Sequence, residues 1–224
     1  MIKAIFFDLF FTLIYPQYVN ENEYDVIGIS ADEWERYAED TGLYNERARG
    51  NVKDEKEIID KIANIMPYEL TEEQKQAILS RREERMKRAL LTVDRKILEF
   101  LEKLQTSDIK IGLISNADLI DSKYWNESPL AKFFDIAVFS CVVGMLKPEV
   151  GIYNLSMKKL DVLPEESVFV GDGGSNELYG AKMAGMKTVF TEYLETKSVE
   201  QREKIMMYAD CHVNSFEEIQ LDKY

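Results

Sequence analysis

The feature that most constrains this chain is a set of short, apolar runs that each stop at a polar residue. KAIFFD (3–8), IKIGLIS (109–115), DIAVFS (135–140) and SVFVGD (167–172) are of this kind. Continuous apolar runs of this length describe strands buried on both faces, as in a parallel sheet. KTVF (187–190) continues the series, and DCHV (210–213) reads as an edge strand. Helical patterns lie between them. DRKILEFLEKLQ (94–105) puts Ile97, Leu98, Leu101 and Leu104 on one face, and NELYGAKMAGM (176–186) makes a short helix ending near Gly185. Pro148 is expected at a first helical position, with Tyr153, Leu155, Ser156 and Leu160 continuing that helix. Strands alternating with helices predict an α/β fold with a Rossmann-like, three-layer parallel-sheet core.

Residues 15–91 differ. Ser30, Asp54 and Thr71 each open a helical pattern, and no good strand falls between them. The expected organisation is therefore an α/β core made of residues 1–14 and 92–224, with 15–91 an inserted all-helical unit. A length of 224 residues suits one domain plus an insert.

Composition excludes several functions. Lys and Arg total 28 against 41 Asp and Glu, a net charge of −13. That balance argues against nucleic acid as a partner, and no basic run stands out, since RREER at 81–85 is diluted by acids. The apolar N-terminus is interrupted by Lys3 and Asp8, so neither a membrane span nor a signal peptide is expected. Two distant cysteines, Cys141 and Cys211, suggest reduced thiols and a cytoplasmic location. His212 is the one histidine, which disfavours His-dependent hydrolysis and excludes His-rich metal sites.

In open α/β sheets, sites form at the carboxyl ends of strands. Asp8, Ser115, Asn116, Lys147 and Asp172 all fall at or just beyond such ends. The strings FFDLFFTL (6–13), LISN (113–116), GMLKPEVGIY (144–153) and VFVGDGGSNELYGAKMAGM (168–186), in this order, resemble the haloacid dehalogenase-like hydrolase superfamily. The resemblance covers the whole chain and implies that the helical insert is a cap over the site.

Elementary chemistry agrees with that resemblance. Two carboxylates near one point, Asp8 and Asp172, repel unless a cation lies between them, and a hard ion such as Mg2+ takes oxygen ligands of this kind. Glu177, one helical turn on, is positioned to add another ligand. Asp8 is the expected nucleophile, forming an aspartyl-phosphate, with Lys147 supplying charge to it and to the phosphoryl oxygens. Thr12 and Ser115 hydroxyls, with backbone N–H groups near Asn116, are expected to bind those oxygens. Gly173 and Gly174 allow a sharp turn beside the ion. The resemblance further implies the Phe10 backbone carbonyl as a metal ligand. Arg47 and Arg49 adjoin Gly50 in NERARGNVKDE (45–55), a segment expected between two helices. One of them, Arg49 in the first place, is expected to bind an anionic substrate group, although two solvated arginines on a turn remain an alternative.

Two departures from the family pattern matter. The usual phosphatases carry a second Asp two residues after the nucleophile, to protonate the leaving group. Here Phe10 stands there, and general acid catalysis is typically worth ~10²–10⁴ in rate. The other is Phe11, where Gly is common. The expectation is a Mg2+-dependent phosphatase for a small phosphorylated metabolite. The alternatives are a metal-free 2-haloacid dehalogenase type, which tolerates an aromatic residue at position 10, or a weakly active or non-catalytic phospholigand-binding member. Trp125, Cys141 and His212 are read as structural.

Overall fold

The computed structural model describes residues 1–223 of the chain. Six strands form one sheet: β1 (Ala4–Phe7), β2 (Lys110–Ser115), β3 (Ile136–Phe139), β4 (Ser167–Gly171), β5 (Lys187–Thr191) and β6 (Cys211–Val213). Every neighbouring pair is parallel, in the order β3-β2-β1-β4-β5-β6. Successive residues of β1 serve opposite faces, as the two-residue strand period requires. Ile5 and Phe7 join one apolar cluster with Ile97 and Leu101, while Ala4 and Phe6 join another with Ile152 and Leu178. The first cluster is covered by the helix α5 (Arg95–Gln105), and the second by α8 (Val150–Leu160) and α9 (Glu177–Met183). Both faces of β1 are thus dry, which is why its sequence does not alternate.

The chain builds the sheet outward from β1 to β3, then returns to add β4, β5 and β6 on the other side. The order reverses beside β1, and a crevice opens at the carboxyl ends of β1 and β4 at that switch. Asp8 and Asp172 directly follow those two strands.

Between β1 and β2 the chain is helical: α1 (Ala31–Ala38), α2 (Thr41–Ala48), α3 (Glu55–Ile65) and α4 (Glu72–Leu91). Their N-caps are Ser30, Asp40, Asp54 and Thr71, each accepting from a backbone N–H in the first turn. Trp34, Ile58, Ile59, Ile62, Ile78 and Leu79 form a separate apolar cluster among these helices. At its far end α4 runs into the core, where Ala89 and Leu90 pack with Ile97 and Leu101.

Local expectations are corrected at three places. Residues 15–91 hold four α-helices, not three, because Asp40 caps α2 through Gly42 N and Leu43 N. Arg47 consequently lies in a helix, with the loop beginning only at Arg49. Pro148 precedes the helix instead of opening it, since Glu149 is the N-cap of α8. An additional helix, α10 (Val199–Met206), follows β5. The short helices α6 (Leu119–Ser122) and α7 (Ser140–Val143) follow β2 and β3. Among the described residues, no helix is long and apolar enough to cross a membrane.

Candidate active site

The turn after β1 is tight. Leu13 N and Ile14 N both donate to Leu9 O, and Phe11 N donates to Ile14 O at 2.7 Å. Phe11 takes a left-handed conformation, φ +61°. That is the physical reason a glycine suits this position, and the strain costs a non-glycine residue about 1–2 kcal/mol. Contacts offset it: the Phe11 ring meets Tyr15 edge-on at 5.2 Å, and the Lys197 ammonium lies 5.7 Å from its centroid.

This turn brings Thr12 back onto Asp8. The Thr12 hydroxyl donates to Asp8 Oδ2 at 2.9 Å and accepts from Asp172 N at 3.1 Å. One side chain thereby ties the ends of β1 and β4 together. The Lys147 ammonium donates to Asp8 Oδ1 and to Glu177 Oε2. Asn116 holds the backbone that carries this lysine: Lys147 N donates to Asn116 Oδ1 at 2.8 Å, and Asn116 Nδ2 donates to Lys147 O at 3.1 Å.

Asp172 turns the chain after β4, accepting from Gly174 N at 3.0 Å. Gly173 has φ +85°, as the expected sharp turn requires. Glu177 Oε1 accepts from Gly173 N at 3.1 Å and passes close over Gly171. A Cβ at Gly171 would sit 2.0 Å from that oxygen, so only glycine admits this carboxylate. Asp8, Asp172 and Glu177 offer oxygens that all lie within 4.8 Å of one another, and all three side chains are buried. An octahedral Mg2+ holds ligand oxygens about 2.0–2.1 Å from itself, so modest side-chain adjustment would let this trio share one hard cation.

Electrostatics favour added positive charge. Burial, then the Asp172 charge, raises Asp8 above the ordinary carboxyl range despite Lys147. Glu177 is raised well above its usual value by burial and by Asp8. Burial works to lower the Lys147 value, but Asp8 and Glu177 outweigh it and keep the ammonium charged.

Several expected binding residues lie elsewhere or do other work. Thr12 and Ser115 are fully buried and are not among the residues lining the cavity over the site. The Ser115 hydroxyl is 3.4 Å from Asn116 O. Asn116 does line the cavity, yet its side-chain amide is spent on the Lys147 backbone. Arg49, expected on the substrate, instead pairs with Glu149 and donates to Gly144 O at 3.3 Å, outside the cavity wall. The reason is its place just past the end of α2, against α7 and α8. Phe10 lines the cavity with its ring packed between the core and the helical insert. Trp125 packs edge-on against Phe134 and Phe139, and His212 stacks on Phe190 beside Glu192.

Three cavity-lining or site-contacting residues were not anticipated as such. Lys197 Nζ lies 2.5 Å from Asp172 Oδ2. Arg82 and Arg85 are buried and line the cavity, whose volume is about 510 Å³. Their signal in the sequence was spacing: positions 78, 79, 82, 85, 86 and 89 make one buried stripe of α4, and the two arginines fall on it.

Buried carboxylates at a topological switch point, one of them held by a charged lysine, make a centre suited to nucleophilic hydrolysis by aspartate. A family model for haloacid dehalogenase-like hydrolases matches residues 2–185, and the chain belongs to that family. Glyceraldehyde 3-phosphate phosphatase of Pyrococcus furiosus is 34% identical over 96 residues, covering 42% of this chain and 39% of that relative. The chain thus matches less than half the length of this relative. Among solved structures, a HAD-family enzyme of Bacteroides thetaiotaomicron, in complex with magnesium and inorganic phosphate, aligns over 89% of this chain and 98% of its own. That pair has a TM-score of 0.66 at 20% identity. A crystal structure of a dehalogenase gives the same TM-score, 0.66, at 19% identity over 97% of this chain and 95% of its own.

Proposed function

We propose that the chain is a Mg2+-dependent phosphatase of small phosphorylated metabolites, with Asp8 as nucleophile. The observation that carries this reading is the convergence of Asp8, Asp172 and Glu177 within 4.8 Å beside Lys147. Three carboxylates against the ammonium groups of Lys147 and Lys197 leave one net negative charge, which repels a phosphate dianion. Bound Mg2+, held by Asp8 and Asp172 with Glu177 adjoining, would screen the nucleophile from the phosphate and neutralise charge on the phosphoryl oxygens. The Phe10 carbonyl is the proposed backbone ligand.

An Asp8 oxygen attacks phosphorus as the bond from phosphorus to the leaving oxygen breaks. Water then hydrolyses the aspartyl-phosphate, releasing inorganic phosphate and restoring the carboxylate. Thr12 orients Asp8 through Oδ2, and Lys147 balances charge on Oδ1. Phe10 donates no proton, so leaving groups that depart as stable anions, such as acyl or aryl oxyanions, suit the site. The helices of 15–91 act as the cap. Their side chains share the cavity wall with Asp8 and Lys147, which supports exclusion of water during the first step. The phosphatase name of the Pyrococcus furiosus relative supports the same substrate class.

The test is release of inorganic phosphate from acetyl phosphate and p-nitrophenyl phosphate, with Mg2+ and with EDTA. Release that needs Mg2+, and that falls on the order of 10³-fold or more in Asp8→Asn, is expected. Phe10 also suits a dehalogenase, in which Asp8 attacks carbon. Halide release from a 2-haloacid in EDTA, with no phosphate release, would replace the phosphatase reading with that one.

A further inference from the structure

In an in-line displacement at phosphorus the leaving oxygen departs on the side away from the attacking oxygen. Asp8 belongs to the core wall of the cavity, so the leaving oxygen emerges toward the helical insert, which forms the facing wall. Phe10 offers it no donor. The arginines of that wall are committed to carboxylates: Arg85 to Glu23, and Arg47 and Arg82 to Asp118. Two half-buried phenols remain there, Tyr18 and Tyr44.

Tyr44 lies on α2, one turn before Arg47, whose guanidinium carbon sits 5.2 Å from the centroid of its ring. This helix is tied to the core at three points. Arg47 Nε donates to Asp118 Oδ2 at 2.9 Å, two residues beyond Asn116. Arg49 pairs with Glu149. A Cβ at Gly50 would stand 2.0 Å from Cys141 O, so the chain leaving α2 lies directly on α7. The Tyr44 ring is thereby held in place, while its hydroxyl has no hydrogen-bond partner among the described residues and keeps accessible surface. Charges at the Asp8 end of the cavity act on that hydroxyl. Burial, then the Asp121 carboxylate, pushes the phenol up to about 12, against the opposing pull of Lys147 and Arg47. Lys147 is the residue bonded to Asp8. Tyr18 is a contrast. The Arg85 guanidinium carbon lies 4.5 Å from its ring centroid, and the charges that act on it most are those of Arg85, Glu23, Glu35 and Glu39.

We propose that the Tyr44 hydroxyl donates a hydrogen bond to the leaving oxygen as the bond from that oxygen to phosphorus breaks. The proposal rests on the phosphatase reading and adds a catalytic residue to it. No proton changes hands. A phenol pushed up to about 12 is a weaker acid than a carboxylic acid or a nitrophenol, so it keeps its proton and stabilises the departing oxyanion as an anion. The preference for leaving groups that depart in that form is therefore unchanged. Because α2 is fixed on the core, the donor is in position before the reaction begins.

Tyr44→Phe removes only the hydroxyl oxygen. The readout is kcat/KM, which covers the steps up to cleavage of the phosphorus–oxygen bond, for p-nitrophenyl phosphate and for phenyl phosphate, both with Mg2+. Nitrophenolate spreads its charge into the ring and nitro group, whereas phenolate concentrates it on oxygen, so a donor there matters more for phenyl phosphate. The variant is expected to lose about tenfold or more on phenyl phosphate and about threefold or less on p-nitrophenyl phosphate, at an unchanged melting temperature. Tyr18→Phe should keep the ratio of the two values within about twofold of the original. Equal losses on both substrates, no loss on either, a lowered melting temperature in Tyr44→Phe, or the same selective loss in Tyr18→Phe each overturns the proposal. In all of these cases Mg2+-dependent hydrolysis of p-nitrophenyl phosphate by the unmodified protein leaves the phosphatase reading standing. If the unmodified protein hydrolyses neither ester nor acetyl phosphate, both fall.

Discussion

Lys197 places its ammonium 2.5 Å from Oδ2 of Asp172, reaching in from the segment between β5 and α10. It also pairs with Glu195, and burial of its head is offset by the Asp172 charge, which holds it protonated. An ion drawn to Asp172 must compete with this contact. Lys197→Met is expected to lower the Mg2+ concentration that gives half-maximal phosphatase rate by roughly three- to tenfold, a difference of about 1 kcal/mol. A magnesium titration of the initial rate measures it. A shift to higher concentration would mean that Lys197 assists the ion.

In the phosphatase reaction proposed above, Phe10 occupies the position from which a carboxyl group would protonate the leaving oxygen. Its ring lies on the cavity wall, so a shorter acidic side chain there would face substrate. In Phe10→Asp, turnover of glycerol 3-phosphate relative to acetyl phosphate should rise by about 10²-fold. Loss of ring packing against core and insert should cost about 1–3 kcal/mol, read from denaturant melts. No relative gain in a folded Phe10→Asp protein would count against the geometry proposed for the leaving group.

Glu192 anchors the segment that carries Lys197. It accepts from Lys197 N at 2.7 Å and from Arg202 Nε and Nη2 at 2.7 and 3.0 Å. Burial pushes its carboxyl up, but the Arg202 hydrogen bonds and the Lys197 N–H prevail and hold it below the ordinary value of 4.5. A depressed folded value means the stabilisation is fully present above the unfolded value and disappears as pH falls through the folded one. Glu192→Gln should therefore cost about 1–3 kcal/mol near neutral pH. The gap to the original protein should close below the ordinary value of 4.5. Urea melts at neutral and acid pH test this, and a gap that persists in acid would point to lost packing instead.

Arg49 sits outside the cavity in a half-exposed pair with Glu149. Exposed pairs of this kind contribute about 0–1 kcal/mol. Arg49→Ala should change kcat/KM for acetyl phosphate by less than about twofold and stability by no more than that amount. A large kinetic loss would put Arg49 back at the substrate.

The parts of the site legible in the sequence are those that follow from strand ends. Asp8 and Asp172 close apolar runs, so a parallel sheet necessarily gathers them at one edge, and Glu177 and Lys147 lie a few residues beyond such edges. The helical character of the insert was legible for the same kind of reason, its periodicity and caps. The rest depends on pairings between distant segments. Lys197 sits among TEYLETKSVE (191–200), where a lysine ordinarily faces solvent, and only the return of that segment over β4 brings it to Asp172. Arg82 looked like one charge among many in RREER, and its burial is explained by Asp118 and Asp121, more than thirty-five residues away in sequence. Asn116 falls at the right strand end, but nothing local foretells that its amide faces the Lys147 backbone instead of a ligand.

The central position of β1 has a consequence for how the molecule opens. The strand is bonded to β2 on one side and β4 on the other, and Asp8 N itself donates to Val170 O at 2.9 Å. Its amides can exchange with solvent deuterium only through the largest openings of the core, whereas the edge strand β6 and the segment around Lys197 can fray alone. The Asp8 carboxylate is thereby fastened to the slowest-exchanging part of the chain, and thermal fluctuation at the rim can loosen its neighbours without displacing it.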